Sequence, residues 1–528
     1  MLNVNKLPNS IKSLKNMILS LQEKVDVYKK DNEFYKKDNE FYKEENSSLS
    51  ELVKLLRRQH FAPRSEAINI EQLRLFNEAE EDSEKHPIDK EEVTPVKGHQ
   101  RNRPKRKPFP DFIPREDVVI ELSEEERRCP HDGNIMKKIG EEVSEKLDII
   151  PAQIKVIRTT RIKYGCEICE DCIKIAPVQP QAIPKGIPTA GLLAFIAISK
   201  YVDALPLYRI ESILSRCRVD ISRGTMAHWM IKIAGLISPL INLLEETLLE
   251  SKYISCDETR VQVLKEEGKK PTTLSYMWVR ARAAPEKSRI ILFEYDPRKN
   301  GDVPVRLLDG FKGYLQVDGA DGFNKVCSNP DITRIGCWDH ARRRFFNAFK
   351  ASKKGKGKSK QALDMIKKLY EIEKDVKGSS IEDRYRIRQE KSKPILNQFH
   401  EWLGRYLSKT VTSSLLGQAI TYTHNEWSTL IRYIDDGNLN ISNIFVENAI
   451  RPFAIGRKNW LFSASVDGAK ASASIYSLVE TAKANGHEPY SYLRHVLTEI
   501  PKAKILEDFE ALLPHNVKPC NLYSGVDA

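Results

Sequence analysis

The chain has 528 residues, a formal net charge of +12 and a pI near 9.0. This length predicts several domains, and the basic balance favours a polyanionic partner, since every phosphate that is neutralised releases counterions. No apolar run reaches 18 residues and the amino terminus lacks a signal-peptide hydrophobic segment, so we expect a cytoplasmic protein with no membrane insertion. Nine cysteines, an odd number, argue against a disulfide framework and for reduced thiols or metal ligands.

Residues 1–60 carry an unbroken heptad pattern. Apolar or asparagine residues at the a positions alternate with leucine or tyrosine at the d positions, from Ile11 and Leu14 to Val53 and Leu56. The pattern predicts a coiled coil that makes the chain a homodimer or a higher oligomer, with buried asparagines setting its register. A lone solvated helix is the alternative.

Residues 61–114 predict a linker that is acidic first, then basic and rich in proline. The basic part is suited to lie along phosphates or in a minor groove, whereas the alternative is a solvated charge run. Its expected DNA-contacting residues are Arg101, Arg103, Lys105, Arg106 and Lys107.

Residues 115–182 predict a small, zinc-finger-like β module. Cys166 and Cys169 form a C-x2-C pair, and Cys129 precedes two strand-like runs, so these thiols are the expected zinc ligands. Without metal they would be ordinary cysteines. The fourth ligand is open between Asp132, His131 and Cys172.

Residues 183–250 predict a helical domain with a helix-turn-helix pattern. Its second helix is expected to begin near Ser222, which would direct Arg223, Thr225 and His228 toward the major groove of DNA. A three-helix packing unit without a DNA function is the alternative.

Three carboxylates have the surroundings that a two-metal phosphoryl-transfer site needs. Asp257 and Asp318 each close a short apolar run that predicts a buried strand, and Glu447 lies on an amphipathic stretch that predicts a helix. Together they are suited to hold two divalent cations about 3.5–4 Å apart, and oxygen-only ligands favour magnesium or manganese. The alternative is a chance coincidence among 73 acidic residues.

The elements around these carboxylates predict a ribonuclease-H-like α/β core. A three-strand meander follows Asp257, and then a helix, the strand that ends at Asp318 and a further short strand at 334–338. The core is expected in two parts, residues 251–340 and 438–500, separated by a helical insertion at 341–437 and followed by a C-terminal tail at 501–528. The aromatic residues expected to pack the insertion are Trp402, Tyr406, Trp427 and Tyr433.

Cations and aromatic side chains near the carboxylates complete the predicted site. Arg451, Arg457 and Lys458 share the helix of Glu447 or its following turn, where they would neutralise the scissile phosphates. Trp460 is expected to pack in the core, with stacking on an unpaired base as the alternative. The residues expected to border the site after a core strand are Trp338, Asp339, His340 and Arg342.

Segments 313–319, 336–345 and 446–462 resemble the transposases of the insertion sequence 66 family, and the resemblance covers nearly the whole chain. It implies DDE-type transposition by Asp257, Asp318 and Glu447. Cleavage at the element end frees a 3′-hydroxyl, which then attacks target DNA, with accessory proteins of the element as further partners. Members usually carry a second C-x2-C pair where this chain has Cys129 and Asp132.

Two other functions stay open from the sequence. One is a DNA-binding regulatory protein that kept the coiled coil, zinc module and helix-turn-helix but lost its chemistry. The other is a ribonuclease-H-like nuclease without strand transfer.

Overall fold

The computed structural model describes most of the chain from residue 154 onward. The described residues are 154–165, 173–282, 288–351 and 357–518, with Asn134, Ile135 and scattered residues between 10 and 53. The chain divides into two units, one of residues 1–67 and 161–528 and one of residues 68–160. The predicted basic linker residues and all the predicted zinc ligands lie outside the described residues: Arg101, Arg103, Lys105, Arg106, Lys107, Cys129, Asp132, Cys166 and Cys169.

The described residues from 15 to 53 are helical. Their apolar side chains at a and d positions are exposed in the single chain, with Ile18, Leu21, Val25 and Tyr28 between 43 and 66 % exposed. Apolar side chains in a heptad repeat are buried only when a second helix packs against them. The coiled coil stays a prediction, and this exposure agrees with it.

From residue 163 onward, the chain begins with a short two-stranded ribbon and four helices. Thr189 and Ser222 cap α1 and α3, since each side-chain oxygen accepts the amide of a residue in the first helical turn. The helix after the predicted turn therefore begins one residue beyond Ser222. The bounds are β1 (Lys163–Gly165), antiparallel to β2 (Ile173–Ile175), α1 (Ala190–Tyr201), α2 (Leu207–Arg216), α3 (Arg223–Leu236) and α4 (Ser238–Leu249).

A six-stranded mixed sheet forms the centre of the fold, with strand order β5-β4-β3-β6-β7 and with β8 paired to the far end of β3. The first three strands form an antiparallel meander, whereas β6 and β7 run parallel to β3. The bounds are β3 (Tyr253–Lys265), β4 (Leu274–Arg282), β5 (Ile290–Asp296), α5 (Asp302–Leu307), β6 (Gly313–Gln316), a 3-10 turn (Asp321–Phe323), α6 (Asn324–Cys327) and β7 (Ile332–Ile335).

The structure corrects two details of the predicted strands. Asp257 does not close a strand, because β3 continues to Lys265 in its antiparallel pairing with β4. Only its parallel pairing with β6 stops early, at Ser255. The second correction concerns Cys337 and Trp338, which lie after β7, at the start of the next helix.

The predicted insertion is helical throughout its described part. Trp402 and Tyr433 are buried, and Tyr406 and Trp427 pack against other aromatic rings, as the sequence predicted. The bounds are α7 (Trp338–Ala351), α8 (Lys358–Asp375), α9 (Ile381–Ile387), a π-helical turn (Arg388–Ser392), α10 (Lys393–Leu407), α11 (Leu415–Asn425), α12 (Trp427–Leu430) and a 3-10 turn (Ile431–Ile434).

The chain then returns to the sheet through the predicted helix that carries Glu447. Helix α14 covers edge strand β5, where the hydroxyls of Ser477 and Thr481 accept the amides of Phe293 and Ile291 at 2.7 and 3.0 Å. This satisfies backbone donors that an open sheet edge would expose. The bounds are α13 (Ile444–Trp460), β8 (Ser463–Ser465), α14 (Val466–Ala484), α15 (Pro489–Glu499), a 3-10 turn (Ile500–Lys502) and α16 (Leu506–Glu510).

Within the described part of the chain, no single helix is long and apolar enough to cross a membrane. Helices α3 and α4 meet the length and composition criteria only when taken together, and they are bent by 50°.

A buried arginine organises the end of the insertion. Arg388 is fully buried and pairs with Glu373 through two hydrogen bonds of 2.8 and 2.6 Å. Its guanidinium also donates to the carbonyl oxygens of Tyr433, Asp436 and Leu439. Every N–H group of the guanidinium therefore donates a hydrogen bond, which is the condition for a buried charge to be tolerated.

We expect Arg388→Ala to lower the free energy of unfolding by about 3–5 kcal/mol, because it removes both hydrogen bonds of the half-buried Glu373 carboxylate, which keeps only Arg384 at 3.8 Å, and leaves three carbonyl oxygens without a donor. Urea unfolding followed by circular dichroism measures this change. Arg386→Ala is the matched control, since Arg386 makes exposed ion pairs with Asp383 and Glu390. Equal unfolding midpoints for the two variants would contradict this role.

Candidate active site

The pairing of β3 with β6 brings the two predicted aspartates together. Ile254 lies opposite Leu315 and Ser255 opposite Gln316, so two residues further along both segments Asp257 is level with Asp318. Neighbouring strands are about 4.8 Å apart. Both carboxylates therefore lie where the parallel pairing ends.

Glycine at position 313 allows this pairing. Gly313 has a φ of 146°, and a Cβ there would lie 2.4 Å from the carbonyl oxygen of Lys252. That same oxygen accepts the Tyr314 amide at 2.8 Å, the first contact of β6 with the strand beside it. Any larger residue at 313 would push β6 away from β3, since contacts below 3 Å are repulsive.

A single asparagine attaches the helix of Glu447 to the sheet. Asn443 is buried just before α13, and its side-chain amide donates to the carbonyl oxygen of Cys256 at 3.1 Å, next to Asp257. Glu447 occupies the first turn of α13, where the helix dipole favours a negative charge. The three predicted catalytic residues are thus brought to one place from two strands and a helix.

Several carboxylates lie close to one another in this site. Burial, together with the carboxylates of Glu258, Glu447 and Asp318, raises the pKa of Asp257 to about 8. Burial and the carboxylate of Asp339 raise the pKa of Glu447 to about 7. Lys299 forms an ion pair with Glu258. Buried carboxylates that repel one another are suited to hold a divalent cation, because its charge removes the repulsion.

The residues predicted to border the site have different surroundings. His340 lies against Glu447, with 3.6 Å between its Nδ1 and the carboxylate. Trp338 is buried and donates to the Leu430 carbonyl at 2.8 Å, so its role is to pack the insertion. The other two contact Tyr370: Asp339 accepts its hydroxyl, and the Arg342 guanidinium lies 5.3 Å from its ring centroid.

Two contacts near the site were missed by the sequence reasoning. Arg343 donates a hydrogen bond to Glu447 at 3.5 Å. It lies one helical turn after His340 and therefore shares the same face of α7. Tyr422 of the insertion lies on Gly319, where a Cβ would be 2.7 Å from the tyrosine ring. The helical spacing from His340 could have predicted the Arg343 contact. No local sequence pattern predicts the contact of Tyr422 with Gly319, because the two residues are 103 positions apart (422 − 319).

Most of the predicted DNA-binding side chains within the described part are exposed. Arg223, Thr225 and His228 are exposed in the first turns of α3. Arg451 and Lys458 are exposed on α13.

The remaining two predicted side chains of α13 make contacts within the fold. Arg457 donates to Thr259 at 3.2 Å and to the Arg260 carbonyl, about 15 Å along the helix from Glu447. Trp460 packs against Phe453 with 5.4 Å between ring centroids, which agrees with the packing interpretation.

Comparison with protein families matches most of the chain between residues 48 and 515. The model described as "Transposase IS66 family" matches residues 185–471, and the "IS66 C-terminal element" matches residues 477–515. The "zinc-finger binding domain of transposase IS66" matches residues 126–170, and "Transposase C of IS166 homeodomain" matches residues 48–118. A zinc finger and a helical amino-terminal domain thus accompany the mixed sheet.

Similar full-length proteins occur in Sinorhizobium fredii (strain NBRC 101917 / NGR234). "Uncharacterized protein y4qI" is 34% identical over 90% of this chain and 89% of its own length. "Uncharacterized protein y4hP" is 32% identical over 87% of each. The family matches define a transposase of an insertion sequence. The chain belongs to the IS66 family of transposases, and the resemblance seen in the sequence is confirmed.

The raised pKa values make a pH prediction for protein without magnesium. The pKa of Asp257 rises from 3.8 to about 8 and that of Glu447 from 4.5 to about 7, so between these values the native state binds more protons than the unfolded chain. Stability contributed by the protonated carboxyls is therefore present below about pH 4 and is lost as pH rises toward 8. We expect the urea midpoint to fall across this window.

Asp257→Asn should flatten this pH dependence, because the amide does not titrate. The exposed Asp331, which pairs with Lys312, provides the control Asp331→Asn, expected to keep the wild-type slope. Identical slopes for all three proteins would show that the Asp257 carboxyl does not contribute to the pH dependence.

Proposed function

We propose that this protein is a DDE-type transposase with a ribonuclease-H-like core that cuts element ends and joins them to target DNA. The observation that carries the proposal is the convergence of Asp257, Asp318 and Glu447 where β3 and β6 stop pairing. An antiparallel meander followed by two parallel strands, with a carboxylate on the helix that returns to the central strand, supports this core assignment.

Asp257, Asp318 and Glu447 would hold magnesium or manganese. Their donor set fits, because it consists only of carboxylate oxygens in a buried, negatively charged place. When bound, the metal ions activate an attacking oxygen and stabilise the leaving oxygen of the phosphodiester. The protein's part is to hold these carboxylates in place through the β3–β6 pairing and Asn443.

Other segments would hold the DNA and a second subunit. The exposed start of α3, with Arg223, Thr225 and His228, is suited to a groove, and the basic linker to phosphates. The heptads of residues 1–60 would pair two chains, so that two element ends are held at once. Cys129, Asp132, Cys166 and Cys169 would hold zinc in the finger module, with accessory proteins of the element as further partners.

We expect Asp318→Asn to abolish strand cleavage while leaving DNA affinity largely unchanged, because the amide is a poor magnesium ligand but keeps the shape of the loop. The assay incubates purified protein with a labelled duplex carrying its own element end, a second duplex and magnesium or manganese.

Asp331→Asn is again the control, with wild-type cleavage expected. Cut ends joined to the second duplex separate a transposase from a nuclease, and binding without cutting would favour a regulatory protein. Residual cleavage by Asp318→Asn at the wild-type rate would remove Asp318 from the chemistry.

Arg223→Ala tests the groove assignment for α3. We expect weaker binding to the element end, and a plot of log affinity against log salt whose slope falls by about 1 if Arg223 contacts a phosphate. The control is Arg386→Ala, which removes an exposed cation of the insertion. Affinity loss of the same size in both variants would mean that only net charge matters.

A further inference from the structure

Three chemically different side chains meet at Glu447. The Cys337 sulfur lies 4.0 Å and the His340 Nδ1 3.6 Å from the same carboxylate oxygen, and the three ligand atoms all lie within 4.8 Å of one another. Tetrahedral zinc with bonds of about 2.0–2.3 Å separates its ligand atoms by roughly 3.3–3.8 Å. Small side-chain adjustments would therefore bring all three to a single ion.

Burial and the carboxylates of Asp339 and Glu447 raise the pKa of the Cys337 thiol, so a metal ion that binds there displaces the thiol proton. Cys337 is fully buried, and its sulfur accepts the backbone N–H of Asn443 at 3.3 Å. An N–H group that donates to a metal-bound sulfur stabilises and orients it without touching the ion itself. The Nδ1 atom of His340 is buried and has no hydrogen-bond partner among the described residues, so it is available as a ligand.

We propose that Cys337, His340 and Glu447 form a site for one divalent transition-metal ion of the zinc type, and that its occupation withdraws Glu447 from the magnesium site. Sulfur and nitrogen ligands select zinc or cobalt over magnesium, which prefers oxygen. The two sites share Glu447 and are mutually exclusive. The inhibitory consequence rests on the proposed function, whereas the binding does not.

Cobalt is the probe for binding, because a cobalt–thiolate bond gives a near-ultraviolet charge-transfer band without any DNA. Full-length protein freed of metal is titrated with cobalt, so that the thiolates of the finger module contribute equally in every variant. We expect wild type to bind one cobalt ion per chain more than Cys337→Ser, with a weaker band in His340→Gln. Circular dichroism checks the fold of each variant, and His340→Gln preserves the test if Cys337→Ser unfolds.

Two controls locate the band. Cys327→Ser removes a half-buried thiol outside the cluster and should leave it unchanged. Asp257→Asn removes a magnesium ligand but none of the three donors, so it should keep the band, whereas Glu447→Gln should weaken it. Equal cobalt binding by wild type and Cys337→Ser would overturn the proposal.

Zinc inhibition of cleavage tests the exclusion of magnesium. Each protein is normalised to its own rate in magnesium alone, and zinc is then added. Loss of a ligand in Cys337→Ser or His340→Gln should raise the zinc concentration for half-inhibition by at least about tenfold. Even the loss of a residue that only hydrogen-bonds to a metal ligand lowers metal affinity about 10–100-fold.

Equal inhibition of wild type and both variants would overturn the competition. The outcomes also separate this inference from the proposed function. A cobalt band without any cleavage would count against the transposase chemistry alone, whereas cleavage without a cobalt band would count against this metal site alone.

Discussion

The parallel pairing of β3 with β6 is the constraint on which the site depends. It begins at Gly313, where only a glycine fits against the Lys252 carbonyl, and it stops at Ser255 and Gln316, just before the two aspartates. Because β3 continues in its antiparallel pairing with β4, Asp257 is held on a rigid strand, while Asp318 begins a loop. Because one ladder ends while the other continues, the two aspartates lie at the centre of the sheet, beside the end of the β3–β6 pairing.

The helical insertion acts on the same place from the other side. Arg388 gathers the carbonyls at its end, while Tyr253 of β3 donates to Asp436 and Gln316 of β6 donates to the Asn440 carbonyl. These contacts lead the chain back to Asn443 and so set the start of the helix that carries Glu447. The insertion therefore belongs to the architecture of the site and is more than an appended domain.

The balance of charge explains the chemistry available there. Glu447 contacts Arg343 and His340, and the carboxylates of Asp339 and Asp318 repel its negative charge. A cation that neutralises these carboxylates therefore changes the contacts that Glu447 makes. In the two proposed sites, oxygen donors would direct magnesium toward the aspartates, whereas sulfur and nitrogen donors would direct softer ions toward α7, so the choice of metal would decide which neighbours Glu447 joins.

The sequence by itself determined the family and the order of strands and helices, because alternating apolar runs and short motifs are local properties. It also singled out the three carboxylates, whose catalytic role stays a prediction. It also predicted the helix of Glu447 and the aromatic core of the insertion. It misjudged the extent of β3 and missed Arg343 as a partner of Glu447 and Tyr422 as the cover of Gly319. Those features were decided by the tertiary structure alone, since strand register and contacts between residues far apart in the chain arise only when separate elements pack together.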